Sequence, residues 1–134
     1  HHRISLEADP HLKLKGSEAE VRSAFSNLVF NAVKYTPDEG NIQIRWWGDE
    51  QGAHLSVQDS GLGIEAKHLP RLTERFYRVD SSRASNTGGT GLGLAIVKHV
   101  LLRHRARLEI VSSLGKGSTF TCHFPTQQVV RRGQ

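Results

Sequence analysis

The stretch "SSRASNTGGTGLGLAIVKHV", residues 81–100, decides how the chain reads. Its first half is polar and without apolar period; its second half is apolar at helical spacing, and glycines stand at 88, 89, 91 and 93. A helix N-terminus offers unpaired N–H groups and the positive end of a dipole. Glycine lets backbone approach a ligand closely and take positive φ. Together they make a phosphate site. Taken alone, the run also fits a hinge before a tightly packed helix. It is not the dinucleotide fingerprint, because a polar loop stands where a strand should precede the glycines. Nor is it a P-loop, because Leu94 follows Gly93 where a lysine is needed.

Working outward, "RISLEAD" and "HLKLK" alternate apolar and polar residues and read as two short strands. Ser17 and Glu20 form a capping-box pair at the head of a helix. Val21, Phe25, Leu28, Val29, Ala32 and Val33 give that helix an apolar stripe. Pro37 should end it near Tyr35. "NIQIRWW" and "AHLSVQD" flank "GDEQG" and read as a hairpin. "GIEAKHLPRLTERFYRVD" reads as short helical pieces broken at Pro70. "GLGLAIVKHVLLRH" is a helix apolar on most sides, hence expected to be buried. "RLEIVSS" and "STFTCHF" are two further strands joined by "LGKG". The order predicts an α+β sandwich whose sheet carries helices on one face.

The 134 residues suffice for one domain. Residues 1–126 are read as that domain and 127–134, "QQVVRRGQ", as a disordered basic tail. His1 and His2 carry no weight in the reading. No apolar run reaches the ~20 residues of a membrane span, and no signal-peptide pattern opens the sequence. Cys122 is the sole cysteine, so an intrachain disulfide is excluded and a reducing compartment is the natural setting. No Cys/His cluster has zinc spacing. The net charge of +5 suits an anionic ligand or simple solubility.

Two further segments bear on chemistry. In "NLVFNAVKYTP", Asn27, Asn31 and Tyr35 fall at i, i+4 and i+8 on one helix face. An Asn31 amide oxygen can ligate a hard cation such as Mg²⁺, and Lys34 can reach a phosphate. The asparagines could equally bond neighbouring backbone. In "DSGLGI", Asp59 ends a strand before Gly61 and Gly63, which fits a carboxylate aimed into a pocket or a plain tight turn.

These segments, in this order, resemble the ATP-binding catalytic domain of sensor histidine kinases, a branch of the Bergerat-fold ATPases. "NLVFNAVKYTP" is similar to the N box, "DSGLGI" to the G1 box, "ERFYRVD" to the F box and "GGTGLGLAIVKH" to the G2 box; "GKGSTFTCHFP" also fits. The residues around the F and G2 boxes are most like the phosphate-regulon branch. The resemblance implies a two-layer sandwich with a mixed sheet of about five main strands and three helices on one face. It implies ATP and Mg²⁺ as cofactors, with Asn31 as the metal ligand. Asn31, Lys34 and Arg78 would act on the phosphates, with Asn27 in support. Tyr35 would pack on adenine, and Asp59 would accept its amine hydrogen. Gly61 and Gly63 would let the base approach. Gly89, Gly91, Gly93 and Leu94 would line the phosphate side, and Thr119 would reach adenine through water. Ile64, Phe76, Thr90 and Leu92 complete the binding set, and residues 80–90 would be an ATP lid.

ATP-hydrolysing relatives place a Glu base four residues before the magnesium Asn, and here that residue is Asn27. An amide cannot take a proton, so the resemblance implies transfer rather than hydrolysis. It further implies a γ-phosphoryl acceptor histidine on a dimerisation domain absent from this chain, without which the chain is inactive. A phosphate-type response regulator would receive the group next. The parent would be a membrane-anchored homodimer with this part in the bacterial cytoplasm, and the isolated fragment would be a monomer. His99 and His104 are expected to be structural. A serine kinase or anti-sigma factor of the same fold is the alternative. Nucleic-acid binding is not expected, since the basic residues are scattered among the boxes.

Overall fold

The computed structural model describes residues 2–37, 39–75, 77 and 93–131. Five strands form the main sheet: β1 (Arg3–Ala8), β3 (Asn41–Asp49), β4 (Gly52–Asp59), β5 (Arg107–Ser113) and β6 (Gly117–Pro125), in the order β1-β3-β4-β6-β5. β1 runs parallel to β3, and the other pairs are antiparallel. The parallel pair follows from its long crossover, which contains β2 (Leu12–Leu14) and α1 (Glu18–Tyr35). A second helix among the described residues, α2 (Gly93–Arg103), packs on α1 and β5. Residues Ala66–Arg71 form a 3-10 helix. Pro70 does not break it but lies inside it; having no N–H to give, it suits short 3-10 turns.

Alternation along the strands sorts the two faces. Ile42, Ile44, Ala53, Val57, Phe120, Cys122 and Phe124 are buried together with Leu28 and Ala32 of α1 and Val97, Val100 and Leu101 of α2. Burial pushes the Cys122 thiol up to about 12, so it stays protonated and inert. The α2 helix is less enclosed than its composition suggests. Ile96 and Leu102 are exposed, as are Lys98 and His99, because the stripe through Val97, Val100 and Leu101 is the part turned into the core.

The capping box at α1 is half made. Ser17 Oγ accepts from Glu20 N–H at 3.2 Å, but Glu20 turns outward and accepts from Arg103 Nε at 2.7 Å. Ser17 N–H donates instead to His104 Nε2 at 3.2 Å, while His104 Nδ1–H donates to Val100 O at 2.8 Å. One buried neutral imidazole thus joins the start of α1 to the end of α2. At the other end of α1, Thr36 is extended, as Pro37 requires.

Residues 129–131, read from sequence as part of a disordered tail, form β7 (Val129–Arg131) and pair with β2. Val129 packs against the core, which a frayed tail could not do. No described helix is long and apolar enough to cross a membrane.

Candidate functional site

Asp59 is the last residue of β4 and only 5% exposed. Its Oδ1 accepts from Gly61 N–H at 2.9 Å and from Ser118 N–H at 3.2 Å. Among the described residues, no hydrogen bond reaches Oδ2. Burial pushes this carboxyl above its usual range, against the opposing pull of the two amides. Oδ2 is not a buried unsatisfied atom, so it keeps access to solvent, and a ligand N–H can take the place of water there.

The glycines around Asp59 are set by close approach. A side chain at Gly61 would collide with Tyr35 O, the carbonyl to which Leu62 N–H donates at 3.4 Å. Gly63 takes φ +77 against Ser113 O, and Gly117 takes φ +94 against Asp59 O. The "DSGLGI" turn is therefore locked between the end of α1 and the β5–β6 turn. Ser112 completes the lock: its Oγ accepts from Ile64 N–H at 2.8 Å and lies 2.7 Å from Ser118 Oγ.

Ser118 and Ser112 were not picked out by sequence reading, and Thr119 was. The register pairs Asp59 with Ser118 and Gln58 with Thr119. Because strand side chains alternate, Thr119 points to the opposite face from Asp59, so it cannot reach a base held there. Ser118 is the residue of β6 on the Asp59 face. The signal was present: Ser118 shares its parity with the buried Phe120, Cys122 and Phe124.

On α1, Asn27, Asn31 and Tyr35 share one face and are all half-buried. Asn27 Nδ2 donates to Ser23 O at 2.9 Å, the backbone bond that sequence left open. Its Oδ1 faces Gly93, where an added Cβ would lie 3.0 Å away, so the start of α2 sits directly on Asn27. The Asn31 side chain makes no hydrogen bond among the described residues, which leaves its oxygen available to a cation. Lys34 Nζ lies 5.1 Å from the Tyr35 ring centroid. Ile64 is buried in the core and Leu94 packs against it. Phe76, Arg78, Gly89, Thr90, Gly91 and Leu92, with the expected lid 80–90, lie outside the described residues.

The mixed sheet, the asparagine face of α1, and a buried Asp held at a glycine-hinged strand end define a nucleotide-binding class. The chain belongs to the family of histidine kinase-, DNA gyrase B- and HSP90-like ATPases, matched over residues 16–128. Within that family it is 84% identical, over 96% of its length, to the phosphate regulon sensor protein PhoR of Pseudomonas aeruginosa PAO1, of which it spans 29%. It thus covers under a third of the curated relatives it matches. Among solved structures, the mycobacterial sensor histidine kinase MprB superposes with a TM-score of 0.80 at 28% identity, over 92% of this chain and 81% of that one. Full-length ShkA in complex with AMPPNP gives 0.77 at 28% identity, over 92% and 25% respectively.

Proposed function

We propose that this chain is the catalytic ATP-binding domain of a phosphate-regulon type sensor histidine kinase. It binds Mg·ATP and presents the γ-phosphoryl group to a histidine on a dimerisation domain outside this sequence, for relay to a response regulator. The observation that carries the reading is Asp59: buried, tied through Oδ1 to two amides, and with Oδ2 open to the exocyclic amine of adenine. The ATP analogue named with ShkA, and the name of the Pseudomonas relative, support the nucleotide and the pathway.

Mg²⁺ fits the donor set, since the Asn31 carbonyl oxygen is a hard ligand with no other partner among the described residues. Bound there, the ion would neutralise phosphate charge, which is most of what phosphoryl transfer needs from a protein. Asn27 holds its amide against Ser23 O and offers no base to activate water. ATP is thereby kept for transfer. Lys34 and Arg78 are assigned to the phosphates, Tyr35 to the adenine, and Ser118 replaces Thr119 in the adenine set. The parent is proposed as a membrane-anchored dimer of the bacterial inner membrane.

The test is phosphotransfer in trans. This chain, γ-labelled Mg·ATP and the dimerisation domain of the Pseudomonas relative should yield acid-labile, base-stable label on histidine. Acid-stable label would point to a serine kinase, and no transfer would contradict the reading.

A further inference from the structure

The sheet face turned away from the helices carries a row of side chains that nucleotide binding does not use. At the hairpin end of the sheet, Asp49, His54, His123 and Glu109 follow one another across β3, β4, β6 and β5. His54 Nε2 lies 2.9 Å from Asp49 Oδ1, the two Nδ1 atoms lie 2.7 Å apart, and His123 Nε2 lies 2.8 Å from Glu109 Oε1. His54 is nearly as enclosed as the core and His123 is half-buried.

The chemistry of these groups fixes how many protons the row holds. An ionised carboxylate only accepts. The histidine hydrogen bonds hold both the Asp49 and Glu109 carboxyls below their usual range, so both are ionised at neutral pH. Each Nε2 must therefore carry a hydrogen. The contact between the two Nδ1 atoms takes one proton: none would set two lone pairs face to face, and two would set two N–H groups head to head. Three ring protons on two rings amount to one imidazolium shared by the pair, and that proton belongs to both residues together.

The surroundings fit a single positive charge. From β3, the Trp47 ring lies against His54 with centroids 5.2 Å apart, and the Arg45 guanidinium lies over the Trp47 ring, 4.7 Å from its centroid. From β5, Arg107 stands near enough to Glu109 to lower its carboxyl. Arg105 and Arg107 border the same depression as the two rings, together with Gln51. A second ring charge would thus face the first at contact distance, with cations nearby.

We propose that Asp49, His54, His123 and Glu109 form a one-proton site that clamps the hairpin end of β4 to β6, and that acid opens it by forcing a second proton between the rings. The central bond then breaks, one ring turns outward, and the pairing of residues 53–55 with 122–124 loosens. Asp59 and Ser118 sit at the far end of the same two strands, so the nucleotide end stays closed.

Ring ¹⁵N spectra of this chain near neutral pH should show three N–H nitrogens and one shared or bare nitrogen for the pair. Two N–H nitrogens, or two rings titrating independently, would overturn the proposal. On going from about pH 7.5 to about 5.5, amide exchange corrected for its intrinsic pH dependence should rise about tenfold at residues 53–55 and 122–124, and under about twofold at 57–59. In the His123→Gln variant that selective rise should vanish. A uniform change along both strands, or none, contradicts the proposal even if the variant fails to fold.

Discussion

At one end of the β4–β6 ladder, Asp59 is buried with one oxygen held by two amides and the other without a described partner. At the other end, His54 is equally buried, yet both ring nitrogens are bonded, and so are both of His123. The two ends share strands, burial and an ionisable group. They differ in saturation. An accessible polar atom satisfied only by water can be taken over by a ligand donor, whereas a saturated row gives a ligand nothing to complete. On the proposed reading, Asp59 is the end that binds and the histidine row the end that clamps.

The largest expected effect lies beside the open end. Asn31→Ala removes the proposed oxygen ligand while favouring the helix, since Ala is the better helix former. Phosphoryl transfer should fall by at least about 100-fold, the scale of losing one electrostatic stabiliser. Nucleotide affinity should fall much less, and the thermal midpoint should hold. Unchanged transfer would remove Asn31 from the site. Next comes Gly117→Ala. At φ +94, with its new methyl aimed at Asp59 O, the variant should lose about 2–3 kcal/mol in denaturant unfolding. A loss under about 0.5 kcal/mol would mean that the Asp59 end is not held rigidly.

Acid should act differently on the two ends. Burial raises the folded Asp59 value above its unfolded one, so ionisation is disfavoured in the folded chain. As pH falls through that raised value, the carboxylate becomes neutral and ATP affinity should drop, at a pH above the ordinary carboxylate range. Asp59→Asn should lack that step in calorimetric titrations. In the apo form the sign reverses: protonation favours the fold, so wild type should lose stability relative to the variant as pH rises. The smallest effect concerns Thr36, whose Oγ1 is buried without a partner among the described residues. Thr36→Val removes an unsatisfied hydroxyl and should be neutral or stabilising by up to about 1 kcal/mol. A marked loss in thermal unfolding would reveal a partner for that oxygen.

What sequence made legible was local. The start and stop of α1, the β3–β4 hairpin and Asp59 at a strand end each depend on neighbours within a few residues. What it missed depends on partners far along the chain. His104 takes the cap donor of Ser17 from 87 residues away, and His54 meets His123 across 69. β7 forms only because β2, more than a hundred residues earlier, pairs with it. Thr119 is a different kind of miss: the motif located the segment, and a one-residue shift in a period of two moved the assignment to the wrong face. Resemblance finds segments; register decides which side chains face the ligand.

The central claim is that Asp59 reads adenine through its open oxygen. Calorimetric titration of wild type and Asp59→Asn with Mg·ATP and Mg·GTP tests it. Wild type should favour ATP by at least about tenfold, as expected when a carbonyl replaces an amine opposite a buried acceptor. Asp59→Asn should weaken ATP and close most of the gap. Equal affinity of wild type for the two nucleotides, or a variant that keeps the full preference, would contradict the account.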